Sequence, residues 1–143
     1  MGSCILGGGT LGGFPPKTFP ISVINLERAM DSLFRVNPQY KIPAKWQGRD
    51  SWSDRGFGFL NSRIFYFSQD PEEMYYVTFI GDENMDKLNT ATIAIRAVDS
   101  STENWLTCDE LNEHRQKEIT NRFQTEIITK LESYSGTKSY DGY

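Results

Sequence analysis

The chain has 143 residues, 38% of them hydrophobic, and sets 15 Lys and Arg against 19 Asp and Glu for a net charge of −4. That length and apolar content suit one modest core, and an acidic balance with scattered basic residues lacks the footprint of a nucleic-acid binder. Two cysteines and one histidine exclude a disulfide scaffold, a Cys-rich zinc or iron–sulfur site and a multi-histidine metal centre, and no apolar run reaches the ~18 residues needed to span a bilayer.

The glycines crowd the start. Gly2, Gly7, Gly8, Gly9, Gly12 and Gly13 are half of the chain's 12, Pro15, Pro16 and Pro20 are half of its 6, and Lys17 is the only charge before Glu27. Glycine loses much entropy on ordering and proline cannot join a central ladder, so residues 1–20 read as a flexible tether. Ser22 then caps a helix in which Val23, Leu26, Met30, Leu33 and Phe34 recur at three- and four-residue spacing, and Asn37-Pro38 stops it. Residues 38–56 hold Pro43, Trp46, Trp52, Gly48 and Gly56 among alternating charges and read as a long loop, with a short strand near 44–47.

A meander follows. Residues 57–68 are strand-rich, Asp70-Pro71-Glu72-Glu73 is a turn, residues 75–80 are β-branched and aromatic, and Gly81-Asp82-Glu83-Asn84 turns again. Ala91, Ile93, Ile95 and Ala97 alternate with Thr92, Ala94, Arg96 and Val98, the period of a strand with one buried face. The last helix opens on a capping box, Thr107-x-x-Glu110, and carries Leu111, Ile119, Phe123, Ile127, Ile128 and Leu131 as its apolar stripe. Glu118–Arg122 and Glu126–Lys130 are acid-first pairs at exposed positions, and Gly136 lies just past the end. Residues 134–143 read as a flexible C-terminal tail, which leaves 21–133 as one folded unit. The expected class is α+β: an N-terminal helix, a three- to four-stranded antiparallel meander and a long C-terminal helix packed on the sheet, a two-layer sandwich with both helices on one face or one on each.

Met1-Gly2-Ser3-Cys4, with the glycine-rich segment behind it, resembles the start of a mature bacterial lipoprotein. The resemblance covers about ten residues and implies acylation of Cys4, with the tether holding the domain off the membrane. Myristoylation of Gly2 is disfavoured, because Leu6 stands where Ser or Thr belongs. Cys108 reads as a small buried hydrophobe. A Cys4–Cys108 disulfide fits an oxidising compartment and is incompatible with lipidation of Cys4. A Cys108–His114 nucleophile pair fails on spacing, since six residues place the two on different helix faces.

Other patterns are weaker. Glu110, His114 and Glu118 share a helical stripe, but such a stripe is ordinarily a solvated face, with His114 pairing its neighbours; no metal and no cofactor is expected. Gly7 to Gly12 spells G-x-G-x-x-G without the strand and helix that give the motif meaning. Asp82-x-Asn84-x-Asp86 begins like a calcium loop, then places Lys87 where glycine is needed and Ile93 where the bidentate Glu belongs. Asp50, Asp54, Asp70, Glu72 and Glu73 are candidate acids with no readable pocket, and hydrolase signatures around serine are missing.

Residues 45–57, which include Trp46, Arg49, Asp50, Trp52 and Arg55, mix aromatics, guanidiniums and carboxylates in the manner of recognition surfaces; the structural alternative folds both tryptophans over the sheet edge. Strand alternation also turns one of Phe65/Tyr66 and one of Tyr75/Tyr76 away from a one-sided core. If no helix covers that face, Tyr66 and Tyr76 join the surface. The leading expectation is therefore a non-enzymatic binding or interaction domain of a bacterial envelope, anchored through Cys4 in the periplasm or outer membrane. It would bind a protein or small molecule at Trp46, Arg49, Asp50, Trp52, Arg55, Tyr66 and Tyr76, and meet membrane only through its lipid. The alternatives are a small hydrolase using loop carboxylates or His114, and a cytoplasmic domain that homodimerises through an exposed sheet face.

Overall fold

In the computed structural model, which describes residues 14–44, 62–69, 71–80, 89–100 and 105–142, the first helix begins where the sequence places it. Ser22 Oγ accepts the Asn25 N–H at 3.3 Å, and helix α1 runs Val23–Val36. Val23, Leu26, Ala29, Met30 and Leu33 are its buried stripe. At Asn37 the chain leaves the helical region, and a single 3-10 turn, Pro38–Tyr40, follows.

Five antiparallel strands form one sheet in the order β2-β3-β4-β1-β5: β1 (Lys17–Phe19), β2 (Ser62–Phe67), β3 (Glu73–Ile80), β4 (Ala91–Asp99) and β5 (Tyr140–Asp141). The expected meander is β2-β3-β4, with Phe65 opposite Tyr75 and Phe79 opposite Ile93. The two additional strands come from segments read as loose ends. Phe14 is buried and donates its N–H to Ile95 O at 3.0 Å, so the chain joins the fold ahead of residue 20. Lys17, Thr18 and Phe19 pair with Ile93, Thr92 and Ala91. The tail is fastened too: Gly136 (φ 72) closes the last helix in the left-handed region that glycine favours, and Tyr140 and Asp141 then pair with Thr18 and Lys17. Lys17 Nζ lies 2.5 Å from Asp141 Oδ1. Glycine and proline content masked these tripeptide-scale pairings, which carry no period of their own.

Strand β4 departs from simple alternation. Tyr76 lies opposite Ala97 and Val77 opposite Ile95, so Arg96 is the extra residue of a β-bulge. Ahead of the bulge Ala91, Ile93 and Ile95 face the helices; beyond it Val98 does, and Ala97 turns to the other face beside Tyr76. All nine residues of β4 and all eight of β3 are buried, so neither strand has the one open face expected.

The C-terminal helix begins in two steps. The capping box exists: the Thr107 N–H donates to Glu110 Oε1 at 2.9 Å. It caps only a 3-10 turn, Cys108–Glu110, after which Leu111 is extended (φ −112, ψ 147). Asn112 is the N-cap of the true helix, its Oδ1 accepting the Arg115 N–H at 2.8 Å. The helical run of residues 113–135 comprises α2 (Glu113–Arg122), a π-helical segment (Phe123–Ile128) and α3 (Thr129–Ser135). Ile119, Phe123, Ile127, Ile128 and Leu131 join the stripe of α1 and one face of the sheet in the main core. Both helices therefore cover the same face, in a two-layer sandwich. Each fully buried Leu or Ile here contributes about 2 kcal/mol of apolar burial.

Candidate functional site

A cleft of about 600 Å³ opens where the β2–β3 turn meets α2. Gln39 and Tyr40 of the 3-10 turn form one side. Phe67, Ser68, Gln69, Pro71 and Glu73 form a second, and Arg115, Glu118, Arg122 and Glu126 close the third. The four helix residues recur at intervals of three and four, which puts them on one stripe beside the apolar one.

Glu73 is the centre of the floor. It is only 2% exposed, and each of its oxygens accepts from a different guanidinium: Arg115 Nη2 to Oε1 and Arg122 Nη1 to Oε2, both at 2.6 Å. Arg115 Nη2 also reaches Ser100 Oγ at 3.1 Å. Arg122 additionally donates to Glu126 Oε2 (2.8 Å), Pro71 O (2.8 Å) and Gln69 O (2.6 Å), and lies 4.3 Å from the Phe67 ring centroid. Burial pulls the Arg122 guanidinium down, but the hydrogen bonds to Glu126 and Glu73 outweigh it and leave it more firmly protonated than usual. Tyr40 Oη donates to Glu126 Oε1 at 3.1 Å, and burial, reinforced by that bond, pushes its phenol up to about 12.

The two acid-first helix pairs are thereby rerouted. Arg122 binds Glu73 and Glu126 in place of Glu118, because the buried carboxylate across the cleft is the stronger partner. Lys130 lies 5.5 Å over the Tyr40 ring in place of an ion pair with Glu126.

Of the residues singled out from the sequence, Cys4, Trp46, Arg49, Asp50, Trp52 and Arg55 lie outside the described residues, as do Asp54, Asp70 and the 82–86 turn. Tyr66 and Tyr76 do share the face away from the helices, yet that face is not an open aromatic surface: Tyr66 is 8% exposed and Tyr76 1%. Ile42 and Trp105 pack against Tyr66 and Met74, and the Trp105 ring meets that of Tyr76 edge-on at 5.7 Å. Tyr66 Oη donates to Glu72, and burial together with that bond pushes its phenol up to about 12. A homodimer through this face loses the surface it needs.

Cys108 is fully buried and disulfide-bonded. His114 is an 86% exposed side chain 3.7 Å from Glu118, as its i+4 spacing suggested. It is not among the described residues lining the cleft. Among the described residues, no group of three His, Cys, Asp or Glu is placed to hold a metal, and no helix is long and apolar enough to cross a membrane.

Of the two candidate acids among the described residues, Glu72 and Glu73, it is Glu73 that lines the cleft. Its neighbours Tyr40 and Arg115 carry no motif of their own, while Arg122 and Glu126, which the sequence places in exposed ion pairs, line the cleft instead; the polar spacing 115, 118, 122, 126 is the signal for the helix residues. Both oxygens of Glu73 and both of Glu126 already accept hydrogen bonds, which fixes the two carboxylates in the floor. No protein family, curated protein or solved structure matches this chain.

Proposed function

We propose that this chain is a non-enzymatic binding module of the bacterial cell envelope, and that its ligand sits in the cleft between the β2–β3 turn and α2. The cleft itself carries the reading. Its volume falls within the ~300–1,000 Å³ of ligand sites, and its floor is held rigid by paired ions while Gln39, Ser68 and Gln69 at its rim are exposed. A rigid floor under an open polar rim suits recognition, and its occupied carboxylates give catalysis little to work with. A library of small polar fragments, titrated into the labelled protein and followed by NMR, is expected to shift the amides of Gln39, Ser68, Gln69 and Glu118. Shifts that gather elsewhere overturn the site.

The compartment rests on the cysteines. A buried disulfide at Cys108 favours an oxidising compartment, and the Met1-Gly2-Ser3-Cys4 run favours a lipid anchor there. Within one chain the two are exclusive, since each needs the sulfur of Cys4. The intact mass of natively expressed protein separates them: two hydrogens lighter than the reduced chain for the disulfide, heavier by acyl groups for the anchor. A fully reduced, unmodified protein in the cytosolic fraction refutes the envelope.

A further inference from the structure

The charge state of the cleft selects among ligands. Among the described residues, five charged side chains line it, Glu73, Glu118 and Glu126 against Arg115 and Arg122, and each of these has an opposite charge within 4 Å. An anionic ligand that takes the Glu73-bound side of Arg115 or Arg122 must displace that buried carboxylate, and Glu118 and Glu126 lie on the same guanidiniums to repel it. A cationic ligand seeking Glu73 must displace two guanidiniums. Either exchange leaves a buried charge uncompensated, which is strongly unfavourable. The aromatic lining among the described residues offers little to a hydrophobic ligand: Tyr40, Tyr66 and Phe67 are 6%, 8% and 2% exposed. Gln39, Ser68 and Gln69, by contrast, are exposed and offer neutral amide and hydroxyl groups, which donate and accept alike.

From this pairing we infer that the cleft takes a neutral, hydroxyl-rich ligand of the saccharide class. Sugar hydroxyls both donate and accept. They can bridge the amide rim and the outer edges of Glu118 and Arg115 without breaking an ion pair. The inference rests on the cleft being the ligand site, and the experiment keeps the two apart.

Labelled protein is titrated with maltose, cellobiose and N,N′-diacetylchitobiose, and separately with inorganic phosphate and spermidine, at low salt and at about 0.5 M salt. The expected result is saturable shifts of the cleft amides with at least one disaccharide, changing by less than about twofold with salt. Gln39→Ala and Gln69→Ala, both at exposed positions, are each expected to weaken that binding about fivefold, the loss of one hydrogen bond. Should phosphate or spermidine bind the cleft while the sugars do not, the saccharide class is overturned and the cleft stands as a site. Sugars that shift only residues outside the cleft, or none, overturn the inference as well, and the fragment titration then decides the cleft on its own.

Discussion

The two halves of the C-terminal helix are held to the same domain by different forces. The α2 half buries Gln116 and a single aliphatic, Ile119, and reaches the sheet through Arg115 and Arg122 clasping Glu73. Beyond Arg122 the helix widens into the π segment, where Ile127 and Ile128 are both fully buried, and continues as α3, where Leu131 is too. That half packs against α1, and Asn37 Nδ2 joins its end by a 3.0 Å bond to Tyr134 Oη. Close packing leaves only a smaller hollow of about 250 Å³ between α1 and the end of α3, whereas directional bonds of fixed length span a wider gap. The cleft is that gap. Widened π turns recur at functional sites, and this one marks where the helix changes from one mode of attachment to the other.

The comparison can be broken most forcefully at Glu73. Glu73→Gln leaves two guanidiniums facing a neutral amide at a buried position, and is expected to destabilise the fold by about 4 kcal/mol in denaturant unfolding. A loss below about 1 kcal/mol would reduce the clasp to a surface ion pair. Leu131→Ala, in the apolar half, is expected to cost about 3 kcal/mol while leaving the NMR shifts of Gln39, Ser68 and Gln69 in place. If those shifts move as well, the halves are not separable. Smaller still is the expected effect at the helix start: Asn112→Ala costs about 1 kcal/mol. If Thr107→Ala costs more than Asn112→Ala, the capping box and not Asn112 governs α2.

Alkaline titration sharpens the cleft end of the comparison. Tyr40 is raised from its ordinary value near 10 to about 12 by burial and by its bond to Glu126. The protonated phenol is thus favoured by folding, and that stability is present in full below about pH 10 and lost as pH climbs towards 12. Ultraviolet absorbance should show Tyr40 and Tyr66 ionising only near pH 12. Tyr40→Phe should remove one late phenol from that curve.

How much of this is legible in the sequence depends on the span of each interaction. Helix α1 is legible because its cap, stripe and stop lie within sixteen consecutive residues, from Ser22 to Asn37. Strands β2, β3 and β4 are legible from local composition, but the bulge at Arg96 is not, since it exists only in the pairing of β4 with β3. Glu73 read as a turn acid because the residues that make it a centre, Arg115 and Arg122, stand 42 and 49 positions away. Strand β5 is two residues long, too short for any period, and its partner lies at the opposite end of the chain. Trp105 carried no pattern of its own, yet it covers the tyrosines of the second face.

That last pairing governs when the sheet can be finished. Strand β1 is flanked by β4 on one side and β5 on the other, and Thr18 Oγ1 donates to Gly142 O while accepting from Thr92 Oγ1 at 2.7 Å. When residues 14–135 have been synthesised, both helices and four of the five strands are present, but β1 still lacks its β5 neighbour. Tyr140 and Asp141 supply it, so β1 waits for a partner that follows it by more than a hundred residues.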